Sequence, residues 1–384
     1  MPTSNQFQLL TFHCAASQAS TSLAGGFVGA YLIKLGLSLP AALSVYAVIL
    51  AVRFVLRLAV LPLVRRIGLR PALILGIGFG ALQFWPLTYA EDPRWLFIWT
   101  GTVALSESLY WPILHAASAI SASGETRGRQ IASRQAVTAT IAVVAPLVGG
   151  YILTHFGPAA DFCIAGAFLF LSALPVLQMD RISAGPIPTL QASFRGTDRA
   201  GLAAFAADGW MASGLSLAWP MILFTTLGSH FDTFALSGSL AAFAGALAGL
   251  ACGAAIDRGR RGAYLLAVSA ALVAVFVLRT GVSWMPAAAH LANAMGSAVN
   301  GMYIPVFMSA IYERSKRSGA AYQFHLGAET GWDLGAIGGC LAAAATALLP
   351  LPSSAAMLPA ALGIAAMYFS LRDEAAAVPA AVPA

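Results

Sequence analysis

The sequence predicts an all-α membrane protein with twelve transmembrane helices in two pseudo-symmetric six-helix bundles. Three observations support this prediction. Hydrophobic residues make up 59% of the chain and charged residues only 9%, whereas soluble domains carry about 25% charged residues. Apolar runs of about 17–25 residues, the length that crosses a bilayer, recur along the chain. Short sequence motifs of the first half also recur in the second half at a nearly constant spacing, as in a tandem repeat.

Three groups of residues recur in this way. The correspondences are Tyr110-Trp111-Pro112 with Tyr303-Ile304-Pro305, Arg65-Arg66 with Asp257-Arg258, and Gly149-Gly150 with Gly338-Gly339. Parallel repeats of membrane bundles are a common architecture of transport proteins. The repeat therefore favours a transport role over other membrane functions.

The apolar runs define twelve predicted spans. They lie near residues 9–33, 40–64, 71–90, 95–120, 131–154, 158–178, 201–226, 233–256, 262–279, 286–311, 320–348 and 353–371. The first six form a predicted N-terminal bundle over residues 1–178, and the last six form a C-terminal bundle over residues 201–372. The polar, proline-containing stretch 179–200 between them is predicted as a cytoplasmic linker. The Ala- and Pro-rich residues 373–384 are expected to be a disordered tail.

Basic residues predict the orientation. Arg53 and Arg57 lie within the second span, and Lys34, Arg94 and Arg279 fall in loops on one side of the membrane. All other arginines and lysines fall on the opposite side, which the positive-inside rule identifies as cytoplasmic. Both termini are then cytoplasmic, and the membrane is of the bacterial inner-membrane type. The net charge of +6 is spread over these loops, so no nucleic-acid partner is expected.

Two loop motifs resemble those of a known family. Gly253-Ala254-Ala255-Ile256-Asp257-Arg258 follows the eighth span, and Arg66-Ile67-Gly68-Leu69-Arg70 follows the second. With its two six-helix halves, the chain resembles the major facilitator superfamily over essentially its whole length. The first copy departs from the family pattern, since Leu61 replaces a glycine and Arg65 an acid. The resemblance implies that these loops take part in the conformational change, through Arg66, Gly68, Arg70, Asp257 and Arg258.

Charged residues inside the spans mark the predicted site. A charge at mid-bilayer costs at least about 2.5–3.5 kcal/mol, so it usually faces a cavity or a partner. The six candidates are Arg53, Arg57, Glu107, Asp208, Glu329 and Asp333. The two arginines share one face of the second span, and Glu329 and Asp333 share one face of the eleventh.

The resemblance places the second and eleventh spans side by side across the two halves. Because of their depths, Arg57 with Glu329 and Arg53 with Asp333 are predicted to form a gating charge ladder that breaks as the halves rock. Two alternatives are open for the arginines. They bind an anionic substrate directly, or they reach out to the membrane surface and anchor the second span.

Polar residues also repeat along the spans that, by the resemblance, surround a central cavity. The predicted substrate-binding residues are Arg53, Trp111, Tyr110, His290, Asn293, Asn300 and His13. A cavity lined by side chains of these types is suited to bind a polar solute. The alternative for each uncharged residue is a hydrogen bond that holds neighbouring helices together.

Glu107 and Asp208 are the predicted proton-coupling residues. A carboxyl group that alternately faces a cation and water loads and releases a proton as the protein changes conformation. His325 lies one turn before Glu329. It either extends a proton relay towards the cytoplasm or is a solvated histidine near the helix end.

These observations predict a secondary active transporter that moves a small polar or anionic solute by alternating access, coupled to protons. The stretch Pro146-Leu147-Val148-Gly149-Gly150 is similar to the end of the pattern of antiporters of the resembled family, which favours export. The alternatives are a multidrug efflux antiporter and a transport-inactive membrane scaffold or sensor.

Other classes of activity have little support. The chain contains no phosphate-cradling Gly-x-x-x-x-Gly-Lys-Ser/Thr loop and no His-Glu-x-x-His or Gly-x-Ser-x-Gly arrangement, so neither an ATP-driven pump nor an enzyme is expected. The four cysteines lie in apolar stretches, and no cofactor or metal site is expected. The expected partners are a small-molecule substrate, protons and the lipid bilayer. A monomer is expected, because one chain holds both bundles.

Overall fold

The computed structural model describes residues 4–121, 127–195, 198–256 and 261–377. Within these ranges the chain forms α-helices joined by short turns and single-turn helices, and it contains no β-strand. The helices build twelve spans in two consecutive groups of six, as the apolar runs predict. Some spans are continuous helices and others are two helices in line.

In the first half, six spans are made by ten helices. They are α1 (Ser4–Leu23) with α2 (Val28–Lys34), α3 (Leu39–Ala59) with α4 (Leu61–Ile67), α5 (Leu69–Leu82) with α6 (Phe84–Thr88), α7 (Pro93–Ser121), α8 (Arg127–His155), and α9 (Pro158–Leu171) with α10 (Ala173–Gln178).

In the second half, a short helix in the linker precedes six further spans. The linker helix is α11 (Leu190–Arg195), and the spans are α12 (Arg199–Ala212) with α13 (Trp219–Thr226), α14 (Phe231–Ile256), α15 (Arg261–Thr280), α16 (Ala289–Arg317), α17 (Ala321–Ala347) and α18 (Ala360–Ala377). A π turn, Ser213–Ala218, joins α12 to α13. Such turns are rare and are frequent at functional sites.

The twelve spans differ in hydropathy. Eight stretches of the described helices are both long and apolar enough to cross a membrane. The first, fourth, seventh and eleventh spans are not among them. These four carry His13, Glu107, Asp208, and Glu329 with Asp333. These polar side chains lower the hydropathy of their spans, whereas Arg53 and Arg57 lie in the second span, which remains apolar enough to cross a membrane.

The two halves pack against each other along two lines. The second span runs beside the eleventh, and the fifth runs beside the eighth. At one end of the bundle the linker bonds to both halves: Gln6 Nε2 donates to Asp180 Oδ2 at 2.8 Å, and Tyr322 N donates to Ala184 O at 3.0 Å. We call this the linker end, and the opposite end, where Lys34 Nζ donates to Ser229 O at 3.4 Å, the distal end.

Glycines allow the seventh and eleventh spans to touch backbone to backbone. A Cβ atom built on Gly335 would lie 2.7 Å from the carbonyl carbon of Ala206, and Gly209 and Gly331 meet the opposite helix in the same way. Real Cβ atoms do not approach a backbone so closely, and the backbone has no flexible end that can move aside. This contact holds Asp208 and Asp333 at fixed positions relative to each other.

Gly335→Ala is expected to lower the melting temperature of the purified protein by forcing the two spans apart, since overpacking typically costs about 1–3 kcal/mol. Gly101→Ala is the matched control, because a Cβ on this helical glycine meets nothing within 4 Å. That control is expected to melt at or slightly above the wild-type temperature. Equal melting temperatures for the two variants would contradict the close contact.

Candidate functional site

Five charged side chains from three spans form a cluster between the halves. Arg53 Nε donates to Asp333 Oδ1 at 2.6 Å, and Arg53 Nη1 donates to Glu107 Oε2 at 2.5 Å. Arg57 Nη1 donates to the other oxygen of the same carboxylate, Asp333 Oδ2. Arg57 Nη2 lies 3.7 Å from Glu329 Oε2. We call these five residues the charge cluster.

The cluster contains both predicted pairs and two contacts that the sequence did not predict. Asp333 accepts from both arginines, and Glu107, a predicted proton-coupling residue, is bound to Arg53. A turn of helix rises only about 5.4 Å, so a long arginine side chain reaches acids at more than one level. Arg53 and Arg57 are 3% and 0% exposed, so the alternative that they anchor the span at the membrane surface is wrong.

The charges in this cluster do not balance. Two guanidinium groups face three carboxyl groups, and Asp333 is completely buried. The ring of Trp332 lies 4.9 Å from Arg53 Cζ and covers one face of the guanidinium. Burial of an unpaired charge costs several kcal/mol. These five groups are therefore neutral together only when they take up one further proton or a further cation lies beside them.

Two stacked histidines continue the cluster towards the linker end. His115 Nε2 lies 3.4 Å from Glu329 Oε1, and His115 Nδ1 lies 3.1 Å from the Tyr312 hydroxyl. The rings of His115 and His325 stack with centroids 5.4 Å apart. His325 is completely buried, and neither of its ring nitrogens has a hydrogen-bond partner in the described part of the chain. The alternative that His325 is a solvated histidine is wrong, because Phe324, His115 and Tyr312 enclose it.

Asp208 has two neutral donors as partners. The Tyr303 hydroxyl donates to Asp208 Oδ1 at 2.7 Å, and Trp332 Nε1 donates to Oδ2 at 2.9 Å. Tyr303 belongs to the repeated Tyr-x-Pro of the tenth span, whereas its counterpart Tyr110 bonds to His13. The tyrosine of the repeated Tyr-x-Pro motif therefore makes different contacts in the two halves.

Two cavities meet at Asp208, Ile304 and Trp332, which line both. The smaller, of about 500 Å³, includes Arg53, Glu107 and Trp111 in its wall. The larger, of about 550 Å³, includes Asn293 and Asn300. We call them the aromatic cavity and the amide cavity. Both have the size of a small-molecule site.

Three of the residues predicted to bind substrate line neither of these cavities: His13, Tyr110 and His290. His13 is completely buried. Its Nδ1 lies 2.9 Å from Ser172 O, and its Nε2 lies 2.9 Å from the Tyr110 hydroxyl. These bonds join the first span to the sixth and the fourth, which is the interhelical role that the sequence left open as the alternative.

The fold and the site can be compared with known proteins. The family model described as "Major Facilitator Superfamily" matches residues 10–322. The chain belongs to the Major Facilitator Superfamily. It is therefore an integral membrane protein of a transporter family and not an enzyme. No curated protein matches it by sequence.

Solved structures of superfamily transporters share this fold. A crystal structure of a D-xylose–proton symporter matches with a TM-score of 0.68 and 15% identity, covering 95% of this chain and 96% of that one. The human organic anion transporter MFSD10 (TETRAN) matches with a TM-score of 0.60 and 14% identity, covering 97% and 100%. The superfamily transporter FucP, in the outward conformation, matches with a TM-score of 0.64 and 14% identity, covering 96% and 97%. At these identities the likeness shows the fold alone.

In this superfamily member the loop after the second span is a tight turn at the linker end. Gly68 has φ of 87°, a conformation that favours glycine, and Arg66 is exposed. Arg70 Nη1 donates to Met179 O at the end of the sixth span. In the second copy, Asp257 and Arg258 lie outside the described residues.

A second contact at the linker end joins the linker to the tenth span. Arg314 Nη2 donates to Asp198 Oδ1 at 2.9 Å, and the amides of Ala200 and Gly201 also donate to this carboxylate at the start of α12. Burial raises the pKa of Asp198, but the hydrogen bonds from Arg314 and the amides outweigh it, so the pKa lies below its ordinary value. Asp198 is therefore ionised at neutral pH and caps the helix as an anion.

The sequence placed Arg279 in a loop and not among the predicted site residues. The structure buries Arg279 within the ninth span, where it lines the amide cavity. The signal was the helical spacing of the buried residues Val268, Leu272 and Val275, which continues to Arg279 at intervals of three and four. Extending that face by one turn would have placed the arginine inside the bundle.

Proposed function

We propose that the protein is a secondary active transporter that moves a small polar or anionic solute through the two cavities by alternating access, coupled to protons. The observation that carries this proposal is the charge cluster. Four of its five side chains are buried, it joins spans of both halves, and it contains one more carboxyl group than guanidinium groups. A cluster of this kind has two discrete arrangements and takes up or releases a proton between them.

Glu107 is the member of the cluster best placed to exchange a proton with water. Its side chain is 33% exposed and borders the aromatic cavity, whereas the side chains of Glu329 and Asp333 are 6% and 0% exposed. Arg53 and Glu107 both belong to the first half, so their contact persists when the halves separate. The separation takes Asp333 and Glu329 of the second half away from the two arginines, and this change in the cluster is coupled to the proton that Glu107 exchanges. Asp208, which lines both cavities, is the second proposed proton carrier.

Contacts between the halves at both ends support alternating access. At the linker end, His115 of the fourth span meets Tyr312 of the tenth. Towards the distal end, the ring of Phe27 of the first span packs on Phe231 and Phe234 of the eighth, with centroids 6.2 Å and 5.5 Å away. Opening one set of contacts while the other remains closed exposes the solute to one side of the membrane at a time.

The proposed orientation follows the distribution of charge. We place the linker end and both termini in the cytoplasm, because nearly all basic loop residues lie there, and we assign the protein to a bacterial-type inner membrane. Export is the proposed direction. It rests on the antiporter-like stretch of the fifth span, where Gly149 packs on the first span and Gly150 on the eighth. A monomer is proposed, since one chain supplies both halves of the path.

A second candidate, multidrug efflux, is favoured by the aromatic cavity. Its wall carries Trp99, Trp111 and Trp332 together with Phe205 and Phe307, and it contains the exposed edge of Glu107. Aromatic faces and a carboxylate bind flat organic cations. Transport measurements distinguish drug efflux from transport of a polar or anionic solute.

The test is flux through proteoliposomes, with labelled sugars, sugar acids and the cation ethidium as probes. We expect a polar or anionic probe to move against its gradient when a pH gradient is imposed, and a protonophore to abolish this movement. Flux that ignores the pH gradient contradicts proton coupling. Flux of ethidium alone favours drug efflux, and no flux above that of empty liposomes favours the scaffold or sensor.

A further inference from the structure

Arg279 is a buried cation outside the charge cluster. It is only 6% exposed and lines the amide cavity. No described carboxylate lies within 4 Å of its guanidinium. A buried charge without a counter-ion is costly in any protein, and most of all in a membrane. The arginine therefore has a function beyond packing.

The fold holds the Arg279 guanidinium in place with neutral groups. Nη1 donates to the carbonyl of Leu215 at 3.0 Å, and Nε donates to the carbonyl of Ala292 at 3.4 Å. Leu215 belongs to the π turn of the seventh span. The guanidinium stacks on the Trp219 ring, with Cζ 4.5 Å from the ring centroid. Trp219 Nε1 in turn donates to Asn293 Oδ1 at 2.9 Å.

These contacts leave part of the guanidinium available. Arginine has five N–H donors, and the two carbonyls use only Nε and one hydrogen of Nη1. Nη2 makes no hydrogen bond to the described residues, and a carboxylate fits the two-donor edge of a guanidinium. The arginine is thus fixed in orientation, not neutralised, and open to an anion.

The other candidate for anion binding is already occupied. Arg53, for which the sequence left direct anion binding open, is bound to Asp333 and Glu107. Asp208, the acid that lines the amide cavity, bonds to Tyr303 and Trp332 and makes no ion pair with Arg279. Among the described residues that line the amide cavity, Arg279 is therefore the one cation without an ion pair, and Asp208 would repel a second negative group.

We propose that Arg279 binds the carboxylate of a polar monocarboxylic solute in the amide cavity, with Trp219 beneath the guanidinium and Asn300 in the same wall. This rests on the proposed function, because it takes the amide cavity as part of the solute path. In this proposal the anion is bound by residues of the ninth and seventh spans, and Arg53 remains part of the charge cluster.

The test compares matched carboxylate and neutral probes on the detergent-purified full chain. D-Glucuronate is paired with D-glucose, and benzoate with benzamide. We expect the carboxylates, and not their neutral partners, to raise the melting temperature of the wild type. Arg279→Gln is expected to weaken carboxylate binding about tenfold or more. Arg94→Gln is the control, because the Arg94 side chain is 88% exposed and pairs locally with Asp92.

A second variant keeps the test valid if Arg279→Gln does not fold. Asn300 is exposed and lines the amide cavity, so Asn300→Asp is expected to fold and to weaken carboxylate binding by repulsion. The inference is overturned if no carboxylate stabilises the wild type, if the neutral partners stabilise it equally, or if Arg279→Gln or Asn300→Asp binds carboxylates as the wild type does. Flux of a neutral solute driven by a pH gradient, without carboxylate binding, would overturn this inference and leave the proposed function standing.

Discussion

Arg57→Gln is expected to lower the free energy of unfolding by about 3–5 kcal/mol and to abolish transport. Arg57 is completely buried, and it donates to Asp333 and faces Glu329. Glutamine leaves three carboxyl groups with Arg53 as the remaining guanidinium of the cluster. The loss of a partner within a buried ion cluster is costly, because the remaining charge has no access to water. Thermal unfolding of the purified variant measures the loss of stability, and proteoliposome flux measures the loss of transport.

The double variant Arg57→Gln with Asp333→Asn tests the physical reason for this loss. It removes one charge of each sign, so most of the stability is expected to return while transport remains lost. Arg94→Gln, which removes an exposed arginine, is expected to melt as the wild type does, since exposed ion pairs contribute about 0–1 kcal/mol. If Arg57→Gln also melts like the wild type, or if the double variant is less stable than the single one, the cluster does not hold the halves together as proposed.

Glu107→Gln is expected to abolish transport driven by a pH gradient while leaving exchange of solute across the membrane intact. Glutamine keeps the size of the side chain and its acceptor oxygen for Arg53 but takes up no proton. Exchange needs only the conformational change of the loaded carrier, whereas accumulation needs a proton to be carried with each cycle. The two measurements are accumulation under an imposed pH gradient and counterflow without one, in the same proteoliposomes.

Asp208→Asn is expected to show the same separation if Asp208 carries a proton as well. Tyr303 and Trp332 donate to different oxygens of the native carboxylate. Asparagine offers its one oxygen to Trp332 Nε1, and its amide N–H donates to the Tyr303 hydroxyl oxygen. Unchanged pH dependence in both variants would remove Glu107 and Asp208 from coupling. A loss of counterflow in Glu107→Gln would instead assign this residue to the conformational change, through its contact with Arg53.

Much of the architecture follows from local properties of the sequence. Apolar runs long enough to cross a bilayer predict the spans. This works because a membrane helix forms its backbone hydrogen bonds within itself and needs no partner that is distant in sequence. Spacing by four placed Arg53 with Arg57, and Glu329 with Asp333, on single helix faces. Their meeting across the halves was expected from the family resemblance, and the structure brings these four residues within contact distance.

Spacing along a helix does not reveal how far that helix is rotated or which neighbour it meets. His13 and Asn293 both lie on polar stripes, yet His13 is enclosed between spans and Asn293 lines a cavity. His325 was equally compatible with a solvated helix end and with the buried stack that the fold provides. These distinctions depend on packing, and packing depends on residues far apart in the chain.

The sequence by itself determined a helical membrane protein in two repeated halves, with most of its basic residues in loops and the six candidate charged residues inside four of its spans. Only the tertiary structure decided how those charges are shared. It placed Asp333 between two arginines and Glu107 against Arg53. It also buried Arg279 against Trp219, with no carboxylate of the described residues within 4 Å of the guanidinium. The physical reason is that a charged side chain bonds to any suitable group that the fold brings within a few ångströms. The local sequence pattern contains no information about distances between residues far apart in the chain.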